Sequence, residues 1–122
     1  MTYRWICILL VGAACRTGSV AERSEALPGL CEDYCPRRVE CVADGWANDD
    51  VAVCTRVCAG EERYVLDDAC GTASFALLEC MAALTCEELP GAVVALATGD
   101  EAAGCYAEQA EQRDVCTFWI ER

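Results

Sequence analysis

Twelve of the 122 residues are cysteines, and no other feature restricts the fold of the chain as strongly. A cysteine content near one residue in ten is typical of small exported domains that are held together by disulfides. The apolar fraction of 55% includes many Ala, Cys and Val residues, whose side chains bury little surface. A small core of this kind barely offsets the conformational entropy lost on folding. We therefore expect disulfides to supply much of the constraint.

The first fifteen residues have the pattern of an export signal. Arg4 precedes an uninterrupted apolar run at residues 5–14. Such a run is too short to cross a bilayer, which needs about 20 residues, but it fits a signal peptide. Two cleavage sites remain open: Cys15 follows small residues and could be lipidated, whereas a cut after Ala21 would release a secreted chain. Both leave ten cysteines, an even number that suits five disulfides.

The remainder of the chain divides into a tether and one domain. Polar and small residues around Pro28 and Gly29 predict a flexible tether at residues 16–30. From Cys31 to residue 122, helical periodicity predicts a single disulfide-stapled domain of the all-α class, a small up-and-down bundle of about four short helices. The expected helices cover residues 31–43, 48–60, 67–85 and 99–113. For residues 92–99, a short helical turn and a packed loop both remain open.

Two Cx3C pairs give the clearest geometry in the sequence. Cys31 with Cys35, and Cys54 with Cys58, each lie one helical turn apart on one face. In an antiparallel hairpin, paired positions share a constant sum of residue numbers, and both Cys31 with Cys58 and Cys35 with Cys54 sum to 89. The midpoint falls on the Asp-Gly turn signal at 44–45. The spacing therefore predicts a helical hairpin with these two disulfides.

The second helix of this hairpin carries end signals of its own. Asn48 is the expected N-cap, and Asp49 and Asp50 would favour the positive end of the helix. Gly60 is placed where a left-handed residue commonly ends a helix.

This pattern resembles two groups of proteins. Residues 31–58 resemble the twin-Cx3C hairpins of small mitochondrial import chaperones and plant hairpin peptides, although here Cys41 interrupts the loop. Over most of its length, with the lipobox-like start and motifs such as CEDYC, LLEC and TCEEL, the chain resembles small cysteine-rich lipoproteins of GC-rich Gram-negative bacteria. The second resemblance implies a location in the cell envelope, at the outer membrane or in the periplasm, and carries no assigned activity.

The other six cysteines are paired by the expected bundle topology. Cys86 and Cys105 flank the last connection, which predicts a disulfide between them. At the opposite end the topology predicts Cys70–Cys116, and this leaves Cys41–Cys80. Because ten cysteines allow many pairings, other connectivities remain open.

Several functional classes are disfavoured by residues that the chain lacks. The sequence has no His, and its charge is −12, with Arg as the only cationic side chain. A surface of this charge repels phosphate backbones, so we expect no nucleic-acid partner. Without His there is no Ser-His or Cys-His dyad, and no CxxC motif is present. We expect no catalytic residue, no cofactor and no metal ligand.

By elimination, the sequence predicts an exported structural or binding module without catalytic activity. Its expected partner is a protein, and it would contact a membrane only through a lipid on Cys15; otherwise it would be secreted. The candidate interaction surface consists of Trp46, Phe118 and Trp119, because exposed aromatic residues are enriched at binding hot spots. Two alternatives remain: a thiolate metal-binding protein, and a small secreted enzyme with a carboxylate site.

Overall fold

The computed structural model describes residues 18–42 and 50–116, and within these ranges the chain forms α-helices and no strand. The described ranges contain five α-helices and one short 3-10 helix, which confirms the small, disulfide-rich all-α class. The α-helices are α1 (Val20–Cys41), α2 (Val51–Ala59), α3 (Ala69–Ala82), α4 (Leu89–Thr98) and α5 (Tyr106–Val115), and the 3-10 helix is Glu62–Val65. Helix α4 settles the open choice at residues 92–99 in favour of a helix. No helix in the described ranges combines the length and apolar character that a membrane span requires.

Helix α1 corrects the predicted tether at residues 16–30. The helix begins at Val20, with Ser19 as its N-cap, so the folded domain starts well before Cys31. Ser19 and Glu22 form a capping box, in which the Glu22 amide donates to Ser19 Oγ at 3.2 Å and the Ser19 amide donates to Glu22 Oε1 at 3.0 Å. Strong helix formers at residues 21–27 then propagate the helix.

Pro28 and Pro36 lie inside α1 without ending it. Each proline lacks an amide hydrogen and leaves the carbonyl four residues earlier, at Ser24 or Glu32, without its helical donor. All four residues are exposed, so water can hydrogen-bond to these carbonyls. The two prolines therefore interrupt only the solvent face of the helix, which is why α1 continues to Cys41.

Helix α1 packs on α2 through a stripe of side chains spaced three and four residues apart. The structure forms both disulfides that the Cx3C spacing predicts: Cys31–Cys58 has a Cα separation of 5.8 Å and Cys35–Cys54 one of 5.7 Å. The predicted turn at residues 44–45 lies outside the described residues. The buried residues of α1 are Arg23, Leu27, Cys31, Cys35 and Arg38.

The ends of α2 differ from the sequence expectation. Asp50 is its N-cap, and Asp50 Oδ1 accepts from the amides of Ala52 and Val53 at 2.8 and 3.4 Å. The expected cap, Asn48, lies outside the described residues. Gly60 does end the helix, but with φ of −91° rather than the predicted left-handed conformation.

Helix α3 lies at the centre of the domain and pairs with α5. Cys70–Cys116 is formed as predicted, and Cys80–Cys105 is a second disulfide between the same two helices. Their residue numbers sum to 186 and 185, the near-constant sum of an antiparallel pair. The domain therefore contains two antiparallel helix pairs, α1 with α2 and α3 with α5, each joined by two disulfides.

Two predicted disulfides are corrected by the structure. Cys41 pairs with Cys86, at a Cα separation of 5.4 Å, instead of Cys80, and Cys105 pairs with Cys80 instead of Cys86. The physical reason is the end of α3, which is at Ala82 and not near residue 85. Cys86 consequently lies in the connection to α4, from where it reaches the C-terminal end of α1, while Cys80 stays on the helix and faces α5.

The start of α3 packs very closely against the segment before it. A Cβ atom placed on Gly71 would lie 2.0 Å from the carbonyl oxygen of Leu66. The amide of Gly71 also donates to the Asp68 carboxylate at 2.9 Å, which caps the helix. Only glycine permits this approach, which brings the 3-10 helix against α3.

Replacing Gly71 by Ala should destabilise the protein by about 3 kcal/mol, because Leu66 backbone atoms must move to admit the methyl group. Gly29→Ala is the matched control: Gly29 is an exposed residue inside α1, and its added Cβ has open space. There the better helix propensity of Ala should stabilise the domain by about 0.5 to 1 kcal/mol. Denaturant unfolding of the oxidised proteins measures both changes. Equal stability of the two variants would contradict the close approach at Leu66, and no effect at Gly29 would contradict the helix over the predicted tether.

Candidate functional site

A cavity of about 140 Å³ lies among α1, the 3-10 helix, α3, α4 and α5. Its walls combine leucine and methionine side chains with two tyrosines, two arginines and three uncharged polar residues. The lining residues within the described ranges are Tyr34, Arg63, Tyr64, Ser74, Leu77, Leu78, Met81, Leu96, Gln109, Gln112 and Arg113.

Helix α5 presents glutamines to the interior because cysteines fix its orientation. Cys105 and Cys116 are both bonded to α3, so the face that contains them must point inward. Gln109 and Gln112 fall on that same face at helical spacing, and only 2% and 6% of their surfaces are exposed. The core of this helix pair is therefore partly polar.

The buried polar groups are only partly satisfied by one another. Gln112 Nε2 donates to Ser74 Oγ at 3.0 Å, and Gln109 Nε2 donates to the Ala92 carbonyl at 3.0 Å. Gln109 Oε1, in contrast, is buried without a hydrogen-bond partner among the described residues. A buried acceptor without a donor costs roughly 1 to 3 kcal/mol. Gln109 therefore carries an uncompensated buried acceptor in the polar core between α3 and α5.

Two arginines, Arg63 and Arg113, line the cavity. Arg113 Nη2 lies 3.4 Å from the Ala95 carbonyl and 3.5 Å from the Leu96 carbonyl, at the C-terminal end of α4, where a cation is favoured. Arg63 forms an ion pair with Glu61 at 2.8 Å. No Asp or Glu is among the described lining residues, although the chain carries 21 acidic residues against nine arginines.

The 3-10 helix and its tyrosine are held in place from α1. The guanidinium of Arg23, which is almost fully buried, donates to the carbonyls of Tyr64 at 3.1 Å, Leu66 at 2.7 Å and Gly18 at 2.9 Å. Burial of the Tyr64 side chain raises the pKa of its phenol to about 12, against a smaller opposing effect from Arg63. Tyr64 is therefore a neutral phenol in the cavity wall at physiological pH.

One group of side chains has the ligand types of a metal site. The Sγ atoms of Cys80 and Cys105 and a carboxylate oxygen of Glu108 lie within 4.8 Å of one another. The two sulfurs are bonded to each other, however, and a metal ligand must be a thiolate. In the oxidised state this group is a disulfide beside a carboxylate.

The sequence-predicted site residues fall into two sets. The proposed lipidation site Cys15 and the aromatic residues Trp46, Phe118 and Trp119 lie outside the described residues, as does the signal segment 1–15. The ten cysteines from Cys31 onward all lie within them, and all are disulfide-bonded. Ser74 is fully buried and accepts the hydrogen bond from Gln112.

The residues of the cavity were not anticipated from the sequence. One signal could have found Gln109 and Gln112, because Cys105 and Cys116 define the inner face of α5 and both glutamines share it. The arginines and tyrosines carry no such signal, since their positions depend on how α1, α4 and the 3-10 helix pack.

No protein-family model matches this chain, and no curated protein or solved structure shows significant similarity to it.

Because its pKa is raised, the phenol of Tyr64 should ionise only at high pH in the folded protein. The pKa is near 10 in an unfolded chain and about 12 in the fold, so the neutral phenol is the favoured form in the folded state. The associated stabilisation is complete below pH 10 and is lost as the pH rises towards 12. The test is a spectrophotometric titration of phenolate absorbance for the wild type minus that for Tyr64→Phe. The difference curve should have its midpoint near 12 for the folded protein and near 10 in denaturant; a midpoint near 10 in both states would show that Tyr64 is not desolvated.

Proposed function

We propose that this chain is an exported, non-catalytic binding module of the cell envelope, anchored by a lipid on Cys15. The observation that carries the proposal is the pairing of all ten described cysteines into five disulfides. Disulfides persist in oxidising compartments and are rare where glutathione and thioredoxin keep thiols reduced. The framework therefore supports a location outside the cytoplasm.

The start of α1 favours Cys15 over Ala21 as the processing point. A cut after Ala21 would remove Ser19, the helix cap, and Gly18, whose carbonyl accepts from buried Arg23. Loss of a cap costs about 1 kcal/mol, and an unpaired donor on a buried guanidinium costs more. Processing at Cys15 retains both groups. The geometry thus supports the lipoprotein alternative that the sequence left open beside simple secretion.

The short segment before α1 changes where such a module would act. Only residues 16–18 separate Cys15 from the cap of α1 at Ser19, instead of the fifteen-residue tether expected from the sequence. A lipidated chain would therefore carry its folded domain close to the membrane surface. A partner or ligand would be met at that surface, where the excess of acidic residues over arginines keeps the domain itself from binding anionic headgroups.

A binding role agrees with the rigidity of the domain and with its cavity. Disulfides that hold helices in place reduce the conformational entropy lost on association. The two alternatives, a thiolate metal-binding protein and a carboxylate enzyme, receive no specific support from the described residues. The sulfurs near Glu108 are in a disulfide, and the described lining of the cavity carries arginines instead of carboxylates.

Intact mass of the protein isolated from its native compartment tests the proposal. We expect a chain that begins at Cys15 with an added diacylglyceryl mass, and no mass change on alkylation without reduction, because every cysteine from Cys31 onward is in a disulfide. Cys15→Ser is the matched control: it should lose the lipid mass, while the cysteines from Cys31 onward stay unreactive to alkylation without reduction.

Two results would contradict the proposal in different ways. Two or more thiols that react without reduction would exclude the oxidised framework. A chain that begins at Glu22 without lipid would leave an exported binding module but remove the anchor.

A further inference from the structure

We propose that Cys86 is a site of thiol–disulfide exchange, at which a small external thiol reversibly opens the Cys41–Cys86 disulfide while the other four disulfides stay closed. This site goes beyond the proposed binding role and does not require the lipid anchor. Three features support it: the exposure of Cys86, the protection of the other disulfides, and the contacts that join the helix pairs without this bond.

Cys86 is the most exposed of the ten described cysteines. It lies in the connection between α3 and α4, and its partner Cys41, the last residue of α1, is half-buried. Of the other eight, Cys80 is half-buried and seven are at most 9% exposed. The rate of thiol–disulfide exchange depends on whether a thiolate can reach one of the two sulfurs. Cys41–Cys86 is therefore the bond that an external thiol reaches first.

The next most accessible disulfide, Cys80–Cys105, has additional protection. A carboxylate oxygen of Glu108 lies within 4.8 Å of both of its sulfurs. A thiolate that approached either sulfur would meet a like charge at short range. The remaining three disulfides have both cysteines buried, so they open only when the paired helices separate.

The exchange conserves atoms and charge. The external thiolate attacks Cys86 Sγ, the bond to Cys41 breaks, and the electron pair of that bond leaves on Cys41 Sγ as a thiolate. The product carries the small thiol on Cys86 and a free thiolate on Cys41. Cys41 can then attack the mixed disulfide, which expels the small thiol and restores the original bond. The opening is therefore reversible without a further oxidant.

The two helix pairs remain joined when this disulfide opens. Near the start of α1, the buried guanidinium of Arg23 donates to two carbonyls of the segment before α3. Near its end, Arg37 donates to the Leu84 carbonyl. Apolar side chains of α1 also pack in one cluster with Phe75 and Leu78 of α3. Since the other four disulfides still hold each pair together, we expect the opened domain to stay folded.

The first experiment follows reduction of the oxidised, full mature chain by dithiothreitol. Samples are acidified, free thiols are blocked with N-ethylmaleimide, and the labelled cysteines are located by peptide mass mapping. Cys41 and Cys86 should be labelled first, at a rate at least about a hundredfold above that of any other pair. In guanidinium chloride the five bonds should open at rates within about tenfold of one another, because access no longer distinguishes them. The far-ultraviolet circular dichroism of the singly opened protein should match that of the oxidised protein.

Two matched variants identify the reactive sulfur. Cys41→Ser leaves Cys86 as an unpaired thiol that no neighbour can displace, and Cys86→Ser leaves Cys41 instead. With oxidised glutathione, Cys86 in the first variant should form a mixed disulfide at least about fivefold faster than Cys41 in the second, because Cys86 is the more exposed. Circular dichroism of both variants checks that they are folded.

The proposal is overturned if another disulfide opens before Cys41–Cys86, if all five open together in the native protein, or if Cys41 reacts as fast as Cys86 in the folded variants. Loss of helical content when this one bond opens would also overturn it. None of these results changes the lipid mass or the absence of free thiols in the native chain, by which the proposed function is judged.

Discussion

The fold depends on disulfides that join each pair of antiparallel helices at two points along their length. Cys31–Cys58 and Cys35–Cys54 hold α1 to α2, Cys70–Cys116 and Cys80–Cys105 hold α3 to α5, and Cys41–Cys86 links the two pairs. Each bond closes a loop of 19 to 46 residues, which in the chain-entropy model contributes about 3 to 4 kcal/mol. The core needs this constraint because much of it consists of small side chains: Gly71, Ala73, Ala82, Ala92 and Ala95.

The same constraint explains why polar groups can occupy the interior. In a core held only by hydrophobic contacts, Gln109 and Gln112 would favour a rotation of α5 that returned them to water. Disulfides at Cys105 and Cys116 prevent this rotation, since they attach both ends of the helix to α3. The unpaired oxygen of Gln109 and the cavity beside it follow from a helix orientation that covalent bonds impose.

The sequence predicts the α1 and α2 pair best, because two independent signals agree there. For the α1 and α2 pair, the Cx3C spacing and the turn residues indicate one register, and the structure has it. For α3 and α5 the same constant-sum rule applies to Cys70 with Cys116 and to Cys80 with Cys105. The prediction that α3 extends to residue 85 led instead to the wrong partners for Cys80 and Cys105. Where α3 ends depends on how the connection to α4 packs, which local propensity does not determine.

Other features depend on tertiary contacts that no local pattern records. Pro28 and Gly29 indicate a break by their propensities, yet the helix passes through them because the affected carbonyls face solvent and Arg23 docks its first turns onto the 3-10 helix. In the cavity, Gln109 and Gln112 were not predicted, although the helical periodicity set by Cys105 and Cys116 would have placed them on the inner face of α5. Arg113 reaches the lining only because α4 ends beside it, and Tyr64 only because Arg23 holds its backbone.

The measurement that tests this account most directly is a disulfide map of the native protein under non-reducing conditions. Cleavage between every two successive cysteines, including sites at Asp33, Arg56 and Leu84, places each of the ten in a separate peptide. The account predicts five linked peptide pairs, with two disulfides between α1 and α2, two between α3 and α5, and Cys41 joined to Cys86. Cys31 joined to Cys54, or Cys105 joined to Cys86, would contradict the registers on which the helix pairs and the cavity depend.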